Sequence, residues 1–352
     1  LEARLAATWA ELLDVDTVSI DAGFFELGGH SLLAVRLVRR LSRELGRDVP
    51  LSLLFTAPTV GHMAEALRES DGQRAMLVPL RGEGEGEPLF CIHPIDGEVV
   101  VFRELAQCLE PGRPIVGVQD PHRAEPGQGA TSIEAMAASY LESIRRVQPR
   151  GPYHLLGYSF GGVVAFDMAR QLGEQGDAVA LLALVDTLPP ALSIRQSGGL
   201  VTAGADDIEL LSSMLGDTMG PAARDDLAAC MDASPADPWA AAVRWLHGRG
   251  LIDADVDAAR LTADLDILRR RRRLLAAYRP PTGSQRLDQS MVFFRAVDEH
   301  GEGRERTALG WVDHVEPEPL DVPIEGDHRS VLAAPGAALI AAHLVGRFAD
   351  GS

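Results

Sequence analysis

The segment Tyr153–Gly162 constrains the fold of this chain more than any other part of its sequence. An apolar run is followed by the word Gly157-Tyr158-Ser159-Phe160-Gly161-Gly162 and then by the helical pattern Val163–Leu172. A strand that turns this sharply into a helix needs glycines, because its backbone is strained and neighbouring segments approach closely. Such a turn pushes its serine outward, so the word predicts a nucleophilic Ser159 at the carboxyl end of a strand.

Short apolar runs alternate with helical patterns on both sides of this segment. The predicted strands are Leu89–His93, Ile115–Gln119, Tyr153–Gly157, Val179–Val185, Met291–Ala296 and Leu320–Ile324. The predicted helices are Val101–Leu109, Ile133–Val147, Gly161–Gln175 and Ser330–Phe348. This alternation indicates an α/β fold whose mostly parallel sheet carries helices on both faces. The interval of about 190–273 is helical without strand character, which predicts a helical insertion.

The first 70 residues have a different pattern. Apolar residues recur at helical spacing around Leu5 and Trp9, and again around Leu33 and Leu37. Residues 71–87 include a Gly-Glu repeat that cannot bury an apolar face, so we expect a linker there. The sequence thus predicts a small all-α domain at 1–70, a linker at 71–87 and an α/β domain at 88–352.

A nucleophilic serine needs a general base and an orienting carboxylate, which follow it in the chain order Ser, Asp or Glu, His in this type of fold. Asp186 directly follows the strand Val179–Val185, and Asp298 follows the strand Met291–Ala296. The position beside the nucleophile strand favours Asp186, with Asp298 as the alternative.

Of the ten histidines, His328 best fits the general base. It follows the final predicted strand and precedes the last helix, whereas the rival His314 lies before that strand. His93 ends a strand, and His247 and His343 lie on helices, so we expect packing or surface roles for these three.

Near the N-terminus, the word Leu27-Gly28-Gly29-His30-Ser31-Leu32 begins an apolar helix. A serine after two glycines is by itself a common helix N-cap. The whole word resembles the phosphopantetheine attachment site of peptidyl carrier domains in nonribosomal peptide synthetases, which are small four-helix bundles. Polyketide carriers usually have Asp in place of His30. The resemblance implies that Ser31 carries 4'-phosphopantetheine, whose phosphodiester is favoured by the positive end of a helix.

From Leu89 to about Phe348, the chain resembles the thioesterase domains that end nonribosomal peptide synthetases. These are α/β-hydrolases with a mobile helical lid. The resemblance is carried by the words Leu89–Pro94, Gly157–Gly162, Leu184–Asp186 and Gly326–His328. In that family the acid follows the earlier strand, which supports Asp186, and residues 190–273 correspond to the lid.

The same resemblance implies an oxyanion hole formed by the backbone N–H groups of Ile95 and Phe160. The Phe160 donor also follows from the geometry of the turn after the nucleophile. The family's loop after His-Pro often reads Ala-Gly-Gly, whereas this chain has Ile95-Asp96-Gly97.

Five successive arginines, Arg269–Arg273, lie at the end of the expected lid. They could recognise an acidic acyl chain or the phosphate of the arm. The alternative, a solvated and salt-bridged helix face, is favoured by the acidic composition of the chain.

A net charge of −18 disfavours binding to nucleic acids or anionic membranes. Cys91, Cys108 and Cys230 are widely spaced without a C-x-x-C pair, so we expect no metal site, packing roles for Cys91 and Cys108, and a reducing, cytoplasmic location. The chain begins without an initiator Met or signal peptide, as a piece of a longer protein would.

These expectations together describe a terminal carrier and thioesterase pair. Ser31 would present a peptidyl thioester, and Ser159, with His328 and Asp186, would take the acyl group and release it as a free acid or a macrocycle. The implied partners are upstream condensation and adenylation domains and a phosphopantetheinyl transferase. The carrier and thioesterase domains of this chain are also expected to dock on each other. The alternative is a storage module whose thioesterase clears mischarged arms.

Overall fold

The computed structural model describes most of the chain. The described residues are 1–45, 49, 51, 53–69, 76–82, 84, 86–109, 112–122, 129–190, 192, 207–215, 219–252, 256–297 and 309–349. Within these ranges, no helix is both long enough and apolar enough to cross a bilayer.

In the described part of the N-terminal region, the chain forms four helices. They are α1 (Glu2–Leu13), α2 (Ser31–Leu45), α3 (Leu53–Thr56) and α4 (Val60–Glu69). Their apolar stripes meet in one core, where Trp9 and Phe24 pack edge to face with ring centroids 5.2 Å apart. Leu5 and Leu37, which the helical spacing predicted on the inner stripes, are fully buried. The expectation of a four-helix all-α region is confirmed.

Among the residues described, the main sheet has seven strands, which are β1 (Leu77–Arg81), β2 (Leu89–Ile92), β3 (Ile115–Val118), β4 (Tyr153–Tyr158), β5 (Val179–Val185), β7 (Met291–Val297) and β9 (Leu320–Glu325). Their order across the sheet is β1-β3-β2-β4-β5-β7-β9. A separate small sheet pairs β6 (Leu287–Asp288) with β8 (Val315–Glu316). The pairings from β3 to β9 are parallel. The carboxyl ends of the central strands therefore meet at one edge of the sheet.

Strand β1 lies inside the segment 71–87, which the sequence predicted to be a linker. It pairs antiparallel with β3 at the edge of the sheet. This strand is only five residues long, and glycines and acidic residues follow it. The sequence pattern of a strand is therefore weak there. Pro79 is tolerated because an edge strand has one side without ladder hydrogen bonds. The linker prediction is therefore wrong for residues 77–81.

Helices cover both faces of the sheet. One face packs against α6 (Ile133–Val147) and α7 (Phe160–Glu174), and the other against α5 (Arg103–Cys108) and α13 (Gly336–Ala349). The last helix begins later than the predicted Ser330, because Pro335 disfavours helical backbone at the residue before it. The α/β architecture with a mostly parallel sheet is confirmed.

The insertion between β5 and β7 is helical, as expected. It contains α8 (Asp207–Leu215), α9 (Pro221–Asp232), α10 (Pro238–Gly248) and α11 (Ala258–Ala277), and a short α12 (Leu309–Val312) follows β7. Helices α8 to α11 share a core of their own that includes Leu211, Leu246 and Leu265. Ile95, in the loop after β2, also packs against this core. The insertion, which we call the lid, therefore lies over the carboxyl edge of the sheet.

The N-terminal helices contact the segment that follows this loop. Val100 packs into the core of the helical region. The guanidinium carbon of Arg103, at the start of α5, lies 3.8 Å from the centre of the Phe25 ring.

Candidate active site

Ser159 occupies a strained turn between β4 and α7. Its backbone has φ 55° and ψ −120°, a conformation that a residue with a side chain rarely adopts and that neighbouring structure must enforce. The Ser159 N–H donates to the Val185 carbonyl over 3.0 Å. This bond anchors the turn to the end of β5.

The glycines around Ser159 are required by close backbone approach. A Cβ on Gly157 would lie 2.5 Å from the Gly162 Cα, and a Cβ on Gly161 would overlap the carbonyl oxygens of Ile92 and His93. A Cβ on Gly162 would overlap the Thr187 side chain. No side chain fits at these three positions. The glycine motif of residues 157–162 therefore forms a tightly packed turn between three strands.

His328 lies between Ser159 and Asp186. Its Nε2 is 3.0 Å from the Ser159 Oγ, and its Nδ1 is 2.6 Å from the Asp186 Oδ2. The His328 side chain is 40% exposed, whereas that of Asp186 is 1% exposed. Solvent and substrate can therefore reach the imidazole, while the carboxylate is shielded. The structure brings these three predicted residues together in one hydrogen-bonded chain.

Hydrogen bonds to β7 hold both the backbone and the side chain of Asp186. Its N–H donates to the Phe294 carbonyl over 2.7 Å, and its Oδ1 accepts the Ala296 N–H at 3.2 Å. Its φ of 38° places it in the left-handed region directly after β5. The carboxylate is thus oriented by β7, which leaves Oδ2 for His328.

The loop that carries His328 is held by residues that the sequence analysis did not single out. The Tyr158 hydroxyl donates to the His328 carbonyl, and the two rings lie 5.1 Å apart. Asp327 Oδ1 accepts the Ser330 N–H at 2.7 Å and the Arg329 N–H at 2.9 Å. The hydrogen bonds from Ser330 lower the pKa of the Asp327 carboxyl. Both Tyr158 and Asp327 stand next to a catalytic candidate in the chain, and that adjacency is the signal that could have found them.

Asp298 and His314 are the alternatives for the triad that the sequence analysis left open. Asp298 falls outside the described residues. His314 Nδ1 donates to the Pro281 carbonyl over 2.8 Å, and its ring packs against Trp311, beside the small sheet. Cys91 is buried in the sheet, where burial raises the pKa of its thiol. This agrees with the packing role expected for Cys91. Cys108 is exposed, so the packing role expected for it is wrong.

The two predicted oxyanion donors belong to segments that meet near Ser159. Phe160 is the first residue of α7, and its buried ring stacks on His93 with centroids 5.9 Å apart. Ile95 lies in the loop after β2, and its carbonyl accepts a hydrogen bond from the Arg271 guanidinium. The donor roles of Ile95 and Phe160 are proposals taken up below.

The arginine run does not form one solvated face. Arg269 bonds to Asp207 and Asp266, as a salt-bridged face would, and Arg273 is exposed. Arg271, however, is fully buried and lies 2.5 Å from the Asp120 carboxylate. The favoured interpretation is therefore wrong for Arg271, because one side of α11 faces the sheet while the other faces water.

Ser31 is the first residue of α2, the longest helix of the N-terminal region. Gly28 before it has φ +93°, and a Cβ on Gly29 would lie 2.5 Å from the Phe24 ring and overlap it. The chain can therefore make this tight entry into α2 only with glycines. The start of a helix of 15 residues presents free N–H groups and positive potential, which fits a phosphodiester.

Comparisons with known proteins agree with this arrangement. The chain matches the model of the thioesterase domain over residues 87–344 and that of the phosphopantetheine attachment site over residues 3–67. Members of the attachment family carry a covalent 4'-phosphopantetheine.

Several relatives are large synthetases. Malpinin synthetase of Mortierella alpina is 46% identical over 191 residues, which is 53% of this chain and 2% of that protein. Enterobactin synthase component F of Escherichia coli O157:H7 is 42% identical over 194 residues, which is 54% of this chain and 15% of that protein. This chain thus spans a small fraction of the length of these curated relatives. They do not favour the storage-and-editing alternative.

Among solved structures, holo-AB3403, a four-domain nonribosomal peptide synthetase bound to AMP and glycine, aligns with a TM-score of 0.65 and 29% identity. The alignment covers 98% of this chain and 26% of that one, so it includes both the helical region and the α/β region. The chain belongs to the thioesterase domain family and carries a phosphopantetheine attachment domain ahead of its α/β-hydrolase fold.

Proposed function

We propose that this chain is the releasing end of a nonribosomal peptide synthetase, in which an acyl or peptidyl chain passes from a carrier on Ser31 to Ser159 and is then released. The hydrogen-bonded series Ser159, His328 and Asp186, in the same chain as a phosphopantetheine attachment domain, is the observation that carries the proposal.

The helical region would hold the prosthetic arm. When bound, 4'-phosphopantetheine supplies a thiol that carries the acyl group as a thioester. Ser31 would form the phosphodiester, and the N-terminal amides of α2 would lie near its negative charge. The acyl thioester is then the substrate of the α/β region.

Acylation of Ser159 needs removal of its proton. His328 Nε2, 3.0 Å from the hydroxyl oxygen, is placed to accept that proton as Oγ attacks the thioester carbonyl. Asp186 Oδ2 accepts the Nδ1–H of the ring, which keeps the lone pair on Nε2. The imidazolium that forms is stabilised by the buried carboxylate.

The attack places negative charge on the former carbonyl oxygen. The N–H groups of Phe160 and Ile95 would donate to this oxygen, and preorganised donors of this kind are often the largest single contribution to the rate. Collapse of the tetrahedral intermediate breaks the C–S bond, and His328 donates the proton that it took from Ser159 to the leaving thiolate, which departs as the thiol. The product of this half-reaction is an ester on Ser159.

Release repeats the same steps with a new nucleophile. His328 would deprotonate a water molecule, or an amine or hydroxyl group of the acyl chain itself, as it attacks the ester. Water gives a free acid, and an internal nucleophile gives a ring. In both cases Ser159 recovers its proton from His328.

Upstream domains and a phosphopantetheinyl transferase are the partners that this arrangement requires in general. We assign the upstream role to condensation and adenylation domains, and we propose that the carrier docks on the thioesterase of its own chain. The contact between Phe25 and Arg103 supports docking near the loop after β2.

The test is intact-protein mass over time. A promiscuous phosphopantetheinyl transferase and a peptidyl-coenzyme A would load the wild type, Ser31→Ala, Ser159→Ala and, as a control at an exposed serine, Ser284→Ala. We expect loading of all except Ser31→Ala, and release from the wild type and Ser284→Ala alone. The released acid and ring differ in mass by one water. Equal rates of release from Ser159→Ala and the wild type would refute the proposal.

A further inference from the structure

The peptide group that contains the Ile95 N–H is held by a buried histidine. His93 Nδ1 lies 2.6 Å from the Pro94 carbonyl oxygen, and its Nε2 lies 2.6 Å from the Tyr140 hydroxyl. Burial, followed by the positive charge of Arg271, lowers the pKa of His93 to about 4, so the ring is neutral near pH 7. A carbonyl can only accept, so Nδ1 carries the proton and Tyr140 donates to Nε2.

This contact fixes the direction of the proposed oxyanion donor. The Pro94 carbonyl and the Ile95 N–H belong to one planar peptide group, so orienting the first orients the second. The same carbonyl also accepts the Gly97 N–H at 3.0 Å. The N–H side of Ile95 is therefore held by contacts within the loop and, through His93, by Tyr140 on α6.

The other side of Ile95 is secured from the lid. Arg271, on α11, donates from Nη1 to the Ile95 carbonyl and from Nη2 to Asp120 Oδ2 at 2.5 Å. A Cβ on Gly97 would lie 2.5 Å from Arg271 Nη2, so the loop leaves room for the guanidinium only because residue 97 is glycine. The planar guanidinium makes both bonds at once, which a lysine ammonium could not reproduce with the same geometry.

Asp120 completes the support. Its N–H donates to the Gly97 carbonyl over 3.2 Å, and its Oδ1 accepts the His122 N–H at 2.9 Å. Burial raises the pKa of the Asp120 carboxyl, but the Arg271 charge and the other neighbours outweigh it and hold this pKa below its ordinary value. Asp120 is thus ionised beside a fully buried guanidinium, and the opposite charges of the two groups compensate each other.

We propose that Arg271 is a positioning residue for the oxyanion hole, which holds Ile95 through its carbonyl and so couples the last lid helix to the donor that meets the developing negative charge. The inference rests on the proposed thioesterase function. It also assigns a role to the fully buried arginine of the run, and it predicts that displacement of α11 disturbs catalysis without contact with the triad.

The test compares Arg271→Met and Arg271→Lys with Arg273→Met, a substitution at an exposed residue of the same helix. Hydrolysis of p-nitrophenyl butyrate gives kcat and KM, and inhibition by butylboronic acid reports the fit of a tetrahedral adduct on Ser159. We expect both Arg271 variants to lower kcat by about 10- to 100-fold, somewhat less than the loss of an oxyanion donor usually costs. Boronate affinity should fall in parallel, while KM changes by less than about twofold.

A stability effect is separated by a double variant. Arg271→Met removes the nearer cation from the buried Asp120 and leaves only Arg270, whose Nη2 lies 3.6 Å from the same Oδ2, whereas Arg271→Leu with Asp120→Leu removes both members of the close pair, which a folded protein tolerates well. We expect the double variant to melt near the wild type and still to have low kcat and weak boronate binding. Recovery of kcat in the double variant, or wild-type kcat in Arg271→Lys, would overturn the proposal. Equal inactivity of the wild type and Ser159→Ala would instead refute the thioesterase function.

Discussion

The hydroxyl of Tyr158 donates to the main-chain carbonyl of His328. This bond joins the last residue of the nucleophile strand to the loop that carries the proposed base, so the residue before Ser159 also helps to place its partner. Burial raises the pKa of Tyr158 above its ordinary value, so the hydroxyl stays protonated and remains a donor throughout the physiological range.

We expect Tyr158→Phe to lower kcat by about 3- to 10-fold, the effect of losing one neutral hydrogen bond, with little change in KM. Steady-state kinetics on a thioester of N-acetylcysteamine would measure it. Tyr153→Phe is the matched control on the same strand, because its hydroxyl bonds to the Gln148 carbonyl at the opposite end. Equal losses in both variants would mean that the Tyr158 contact is not specific to His328.

Asp186→Asn should lower kcat by about 10⁴-fold, because an amide that donates to Nδ1 would stabilise the wrong tautomer of His328. The fold should survive, since the amide can still accept the Ala296 N–H as the carboxylate does. Thermal melting and kinetics on the same sample would test both statements. Asp288→Asn, at an exposed position of β6, controls for loss of a charge. A kcat within about tenfold of the wild type would argue for another acid.

Gly161→Ala should destabilise the fold by at least about 2 kcal/mol, because the new Cβ overlaps the carbonyl oxygens of Ile92 and His93. Gly173→Ala is a matched control on the same helix, where a Cβ meets nothing within 4 Å. We expect it to be neutral or to stabilise the fold by about 0.5–1 kcal/mol. Urea unfolding of both variants would measure the difference, and similar values would contradict the tight packing of the turn.

Two buried histidines predict a loss of stability in weak acid. Burial is the largest cause that lowers the pKa of His93 and of His154 from 6.5 to about 4. The unfolded chain therefore takes up protons below pH 6.5 that the folded protein does not bind until near pH 4. Each histidine lowers the free energy of unfolding by about 1.4 kcal/mol per pH unit within that window.

His154→Gln should therefore reduce the difference in the free energy of unfolding between pH 7 and pH 5. The Arg113 guanidinium donates to His154 Nδ1 over 3.3 Å, and a glutamine oxygen can accept in its place. Urea unfolding at the two pH values would measure the change, with His62→Gln at an exposed position as the control. An unchanged difference in the His154 variant would show that folding does not lower the pKa of this imidazole.

The sequence predicted those parts of the site that depend on order and local geometry. Ser159 is recognisable because no other residue fits at the glycine positions beside it. Asp186 and His328 follow from the chain order of a triad. Arg271 was not recognisable, because five arginines in a row give no sign of which one faces inward. Its partner Asp120 is 151 positions away, and only the fold brings the two together. Strand β1 was missed because an edge strand needs little apolar surface.

The position of β1 limits how far the carrier can move. Helix α4 ends at Glu69 and β1 begins at Leu77, so covalent geometry allows these two anchors to separate by no more than about 29 Å. In the sheet, β1 is three strands away from β4, a distance of about 14 Å at ordinary strand spacing. The segment between α4 and β1 is therefore a short tether that keeps the carrier near β4, the strand that precedes Ser159. A short tether gives the acyl donor a high effective molarity, so even a weak docking surface is sufficient for the proposed transfer.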